Sequence, residues 1–206
     1  SSHTRDVIHY SRAFIAAHRK FQLLTCLKHF PGHGSSEEDS HRGMVEISST
    51  WSQQELTPFR ELSALDEADF IMNAHLIHKQ YDSDYPLTLS HKHPLQKILR
   101  EDMGYQGPVI SDDLHMGAII DMIQEEKEIL RLATAADIDL LCFGNNPSAA
   151  AGMQDLDQRL NLAESLHHNM EQLLAEGRVE AKAITKSASR VFVQPVSRPL
   201  KRERDR

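Results

Sequence analysis

Polar residues with chemical potential gather just beyond four short apolar runs. Lys28-His29-Phe30-Pro31-Gly32-His33-Gly34 follows the first run and leads into Ser35-Ser36-Glu37-Glu38-Asp39-Ser40-His41. Asn73-Ala74-His75 follows the second, Ser111-Asp112-Asp113 closes the third, and Gly144-Asn145-Asn146 closes the fourth. Three of these exits carry histidine or carboxylate. A carboxylate can attack an electrophile, and an imidazole titrates near neutrality, where it can both give and take a proton. The same set also suits a divalent cation, with His29, His33, His41, His75 and Asp112 as donors, although no strand carries a compact His-x-His pair. Taken alone, Asp39-Ser40-His41 reads as a solvated turn in which Asp39 bends the chain.

Such residues need a scaffold that holds them at one edge. The runs Leu23–Leu27, Phe70–Asn73, Val109–Ser111 and Asp139–Phe143 are too short for helices and end in polar or Gly-rich sequence, as buried parallel strands do. Helical spacing separates them. One helix is expected from Ser11 to Lys20. A second starts at Ser52-Gln-Gln-Glu55, a capping-box pattern, and a third runs from Ser90 to Met103 and stops at Gly104. A fourth covers Met122 to Ala136, and Leu156–Leu174 and Ala181–Phe192 follow, separated by a turn at Gly177. Strands alternating with helices imply right-handed crossovers and an α/β fold, in which ligands sit at the carboxyl ends of the strands.

Lys28-His-Phe-Pro-Gly-His-Gly34 with Asp39-Ser-His41 downstream is similar to the signature of bacterial β-N-acetylhexosaminidases of glycoside hydrolase family 3. Ser111-Asp-Asp-Leu-His-Met-Gly-Ala-Ile119 resembles that family's nucleophile segment. Ala74-His-Leu-Ile77, the Pro86–Ser90 stretch, the Glu101–Asp113 run and Asp137–Asn146 also occur in the expected order, so the likeness extends from about Ser11 to Phe192. It implies a (β/α)8 barrel, of which about four parallel strands with flanking helices are accounted for here as the C-terminal half. Residues 1–195 would form this partial catalytic domain, and the charged tail 196–206 would be disordered.

By the same resemblance, Asp112 is the nucleophile of a retaining glycosidase, and His41, oriented by Asp39, replaces the usual carboxylic acid as acid/base. A neutral imidazole adds no second negative charge beside the glycosyl-enzyme when water attacks. Successive side chains at a strand end point oppositely, so Asp113 should turn away and cap the next helix. Lys28 and His29 are implied to bind sugar hydroxyls. His75 is equally placed to be a supporting hydrogen-bonder or a core histidine, and His91, His93, His115, His167 and His168 are expected at the surface. The reaction implied is hydrolysis of terminal β-linked N-acetylglucosamine, including cell-wall fragments, with no metal and no cofactor. A β-N-acetylglucosaminide phosphorylase is the alternative within that chemistry. A metal-dependent hydrolase and a non-catalytic carbohydrate-binding remnant are the alternatives from other classes.

The 206 residues are enough for one sizeable core, and the net charge of −7 gives no basic stripe for nucleic acid. No apolar run approaches the roughly 20 residues of a membrane span. Cys26 and Cys142 lie in apolar runs and read as buried thiols, which favours a reducing, cytoplasmic setting. The family barrel has eight strands, so this sheet is expected to need the missing N-terminal half, together with the sugar-gripping residues which that half contributes.

Overall fold

The computed structural model describes residues 3–36, 44–144 and 160–193. Its centre is a parallel sheet of β1 (Cys26–Phe30), β3 (Phe70–Asn73) and β5 (Val109–Ser111), in that order, while β2 (Val45–Glu46) and β4 (Leu76–Ile77) form a separate parallel pair. Register aligns Leu27 with Ile71 and Ile71 with Val109, and it ends with Phe30 beside Asn73 and Asn73 beside Ser111. Strand order follows chain order, so each crossover advances one place in the same direction.

The helices are α1 (Thr4–Arg19), α2 (Thr57–Ala64), a π-helical segment (Gln96–Asp102), α3 (Gly117–Ile120), α4 (Glu126–Ala135), α5 (Leu162–Ala175) and α6 (Ala181–Val193). Alternation along the strands sends Ile71 and Val109 into one apolar cluster with Phe59 of α2 and with Ile98 and Leu99 of the π-helix. The opposite row, Met72, Ile110 and Leu140, is apolar too but only half-buried. Apolar residues on both faces are what a doubly covered parallel sheet demands.

Expectation and structure differ at identifiable places. The first strand lies at Cys26–Phe30 rather than Leu23–Leu27, and Leu23 and Leu24 are exposed ahead of it. That shift brings Lys28 and His29 into the strand itself. Cys26 is exposed on this edge strand and Cys142 is half-buried, so neither thiol is the core residue its apolar surroundings suggest. Desolvation by its neighbours, ahead of the opposing charge of Lys28, still pushes the Cys26 thiol up to about 11, so it stays protonated near neutrality. The fourth strand is reduced to a single parallel bridge between Ile110 and Leu140, with Asp139 and Leu140 amides both donating to the Val109 carbonyl.

The expected capping box is absent. Ser52 makes no side-chain cap and opens a short 3-10 turn, Gln53–Leu56, ahead of α2. The helix from Ser90 is confined to the π-helical segment and the turn before it, and it does stop at Gly104, whose φ of 68° is the left-handed cap geometry. Of the helix expected over Met122–Ala136, only Glu126–Ala135 forms, as α4, and the short α3 at Gly117–Ile120 precedes the expected range. Residues 145–159 and 194–206, including the start of the helix expected at Leu156, Asn145, Asn146 and the charged tail, lie outside the described residues.

At the amino end of the sheet, charge does the joining. The Asp139 side chain is fully buried and receives Arg100 at 3.0 Å and Arg190 at 2.9 Å, and it also accepts the Val109 amide at 2.8 Å. Asp137 adds Lys186 and Arg190, each at 3.0 Å. Burial alone would raise the Asp137 carboxyl, but the surrounding cations hold it below its ordinary range. This network pins α6 to the last strand. Asp139→Ala leaves two nearly buried guanidinium groups short of a partner, and urea unfolding should show a loss of about 3–5 kcal/mol.

Candidate active site

The carboxyl ends of β1, β3 and β5 bring His29, Asn73, His75, Asp112 and Asp113 together. The Asp112 amide donates to the Asn73 carbonyl at 2.9 Å, extending the β3–β5 ladder one residue past the strand. Asp112 Oδ1 accepts the amide of Asp113 at 2.9 Å, and Oδ2 lies 3.7 Å from His29 Nε2. Both side chains are partly open, at 24% for Asp112 and 32% for His29, so the pair borders accessible space.

Asp113 points elsewhere. Its Oδ1 accepts the His115 amide at 3.0 Å and the Gly144 amide at 2.7 Å, tying the turn after β5 to the end of the fourth run. Gly144 is required there, because a Cβ would run into the Asp113 carboxylate. Period-two alternation therefore separates the neighbouring acids: one faces the open side of the sheet and the other is a structural bracket.

His75 is buried behind this pair. Its Nε2 lies 2.9 Å from the Asp113 carbonyl and its Nδ1 lies 3.0 Å from Thr88 Oγ1. Burial pushes its pKa below the ordinary histidine value, ahead of opposing contributions from the Asp113 carbonyl and the two aspartates. Sequence alone left its role open between two readings; the structure makes it a hydrogen-bonder. His115 corrects another expectation, being buried against Phe143 at 4.9 Å between ring centroids rather than exposed. The Cys142 thiol is also raised, first by burial and then by Asp113 and Asp112.

Lys28 is exposed beside His29 and is not sequestered at the strand end. Beyond it, the Gly-rich loop is held from outside. Glu55 Oε2 accepts the Gly34 amide at 3.1 Å, and its other oxygen accepts the Ser35 hydroxyl. Gly32 has φ 123° and lies against the Glu55 side chain, where a Cβ has no room. Trp51 Nε1 donates to the Pro31 carbonyl at 3.1 Å. Glu55 thus braces the loop instead of closing the capping box. Asp39 and His41, further along, lie outside the described residues. A separate groove of about 790 Å³ runs between α1, β1 and α2; Lys28 and His29 belong to its lining but Asp112 does not.

Among the described residues, no group of three or more His, Cys, Asp or Glu side chains converges as a cation site requires, and no helix is long and apolar enough to cross a membrane.

A family profile described as the glycosyl hydrolase family 3 N terminal domain matches residues 1–193. The chain belongs to glycosyl hydrolase family 3. Its α/β architecture is accordingly the TIM-barrel-like one of that family. Among family 3 relatives, a Beta-hexosaminidase of Tolumonas auensis is 36% identical over 159 residues, covering 75% of this chain and 46% of that protein. One from Idiomarina loihiensis is 31% identical over 186 residues, covering 88% and 54%. The crystal structure of the β-N-acetylglucosaminidase from Thermotoga maritima superposes with a TM-score of 0.66 at 27% identity, covering 86% of this chain and 36% of that one. The chain thus spans about half the length of these curated family 3 relatives.

Gly144→Ala tests the bracket. The added methyl must displace the Asp113 carboxylate from two amides, so urea unfolding should show a loss of about 1–3 kcal/mol.

Proposed function

We propose that this chain carries the catalytic half of a retaining β-N-acetylhexosaminidase acting on terminal β-linked N-acetylglucosamine. The observation that carries the reading is the division of labour at the β5 tip: Asp112 Oδ2 faces the open side 3.7 Å from His29, while Asp113 is held by two amides. The relatives named Beta-hexosaminidase and the Thermotoga maritima β-N-acetylglucosaminidase support the substrate class.

In the first step, Asp112 Oδ2 bonds to the anomeric carbon as the glycosidic bond breaks, and the leaving oxygen takes a proton from the His41 imidazolium. In the second, the neutral imidazole removes a proton from water, whose oxygen displaces the ester and restores the free carboxylate. Asp39 fixes the tautomer of His41. Those two roles rest on the resemblance of Asp39-Ser40-His41, downstream of Lys28–Gly34, to the family signature. Lys28 and His29 bind the sugar hydroxyls; the 3.7 Å approach of His29 Nε2 to Asp112 Oδ2 supports this for His29.

We also infer that the sheet works beside four further strands. The half-buried row Met72, Ile110 and Leu140, the exposed edge at Cys26, and Tyr10 and Phe14, exposed at 69% and 59% on α1, are apolar surface awaiting cover. The missing strands would supply the rest of the sugar pocket. The isolated 206-residue chain is therefore expected to aggregate or bind N-acetylglucosaminides poorly; a soluble, fully active monomer by light scattering and turnover would contradict this.

In the complete enzyme, Asp112→Asn should lower turnover by at least about 10³-fold with the circular dichroism spectrum unchanged. His41→Ala should spare aryl glycosides with acidic leaving groups far more than alkyl ones, since these need less protonation. Near-normal rates in both variants would sink the assignment, and dependence of the product on added phosphate would redirect it to a phosphorylase.

A further inference from the structure

The β5 tip has a brace that the two catalytic steps do not use. A carbonyl oxygen can only accept, so the 2.9 Å contact from His75 to the Asp113 carbonyl requires the proton to be on Nε2. Nδ1 lies 3.0 Å from Thr88 Oγ1, which seats the other side of the ring. Thr88 is itself fixed: it is fully buried, accepts from Asn73 Nδ2 at 3.1 Å and donates its hydroxyl hydrogen to the Ala74 carbonyl at 2.9 Å. Asn73, Ala74 and His75 are consecutive, and the Asn73 carbonyl binds the Asp112 amide. The end of β3 therefore grips the end of β5 at two points, one on each side of the Asp112–Asp113 peptide.

We propose that His75 is a positioning residue for Asp112: seated against Thr88 and carrying a proton on Nε2, it holds the Asp113 carbonyl and so sets the direction of Asp112 Oδ2. The imidazole touches no sugar. Its effect passes through one residue, because the Asp113 carbonyl held by His75 and the Asp113 amide that binds Asp112 Oδ1 flank the same Cα. The inference rests on Asp112 being the nucleophile.

Three variants in the complete enzyme test it. His75→Phe removes both hydrogen bonds, His75→Gln places an amide nitrogen where Nε2 lies, and Thr88→Val keeps the volume but deletes the hydroxyl. Hydrogen exchange of the peptide spanning Asp112 to Met116, read by mass spectrometry, is independent of turnover. It should accelerate in His75→Phe, less in Thr88→Val, and return towards wild type in His75→Gln. A fluorinated N-acetylglucosaminyl fluoride that traps the glycosyl-enzyme reads the chemistry. Its maximal inactivation rate should fall about 10- to 100-fold in His75→Phe with its Ki little changed, and recover in His75→Gln.

Unchanged exchange at Asp112–Met116 overturns the positioning role whatever the kinetics, as does a label that forms on Asp112 equally fast in every variant. A loss in Ki alone, or one that His75→Gln fails to rescue, reduces His75 to a packing residue and also overturns it. A wild-type label on another side chain, or no label at all, instead removes Asp112 as nucleophile; the exchange result then still decides whether His75 holds this segment. Should His75→Phe fail to fold, Thr88→Val and His75→Gln carry the same comparison.

Discussion

Two backbone amides, from His115 and Gly144, converge on one oxygen of Asp113, and the use that the β5 tip can make of its acids follows from that convergence. Bonds between an amide and an ionised carboxylate are about twice as strong as neutral ones. They draw the second acid out of the open side and fasten the turn after β5 to the last run of the sheet. Asp112 is left as the acid able to meet a ligand. Its backbone is set by the Asn73 carbonyl, so the orientation of the reactive group is inherited from the register of two parallel strands rather than from a loop.

That arrangement divides the sheet by function along its length. At the carboxyl ends lie partly exposed groups joined by backbone hydrogen bonds and by one buried imidazole. At the amino ends lie Arg100, Arg190, Asp137 and Asp139, whose charges neutralise each other in near-complete burial. The same strand thus has an end built for rigidity and an end built for chemistry, the usual polarity of barrel strands. Glu55 and Trp51 extend the rigid support around the Gly-rich loop.

Much of this was legible from residue order. Val109–Ser111 and Phe70–Asn73 are strands as their short apolar runs suggest, Gly104 and Gly177 end helices, and alternation separates Asp112 from Asp113. The failures share a cause: hydrophobicity tells which side chains favour burial but not which neighbour stands next to them. Leu23, Leu24 and Cys26 lie at an uncovered edge and stay exposed, while His115 is buried because Phe143 closes over it. Glu55 shows the same limit for polar groups. Its spacing from Ser52 fits a helix cap, yet the carboxylate finds amide and hydroxyl donors on a loop 20 residues away in sequence. The brace at His75 leaves no trace in residue order, because nothing in a linear pattern joins residues 13 apart across a turn. The pairing of β2 with β4, two residues each, is too short to show a period at all.

The hydrogen bond from the Asp113 amide to Asp112 Oδ1 has a stereoelectronic consequence. When Oδ2 joins the anomeric carbon in the proposed double displacement, Oδ1 becomes the carbonyl oxygen of an ester, with that donor already in place. As water later expels the carboxylate, negative charge returns to both oxygens, and the amide meets it without reorganising. The same N–H that steadies the attacking acid thereby makes it the better leaving group, so one fixed dipole serves the making and the breaking of a single bond.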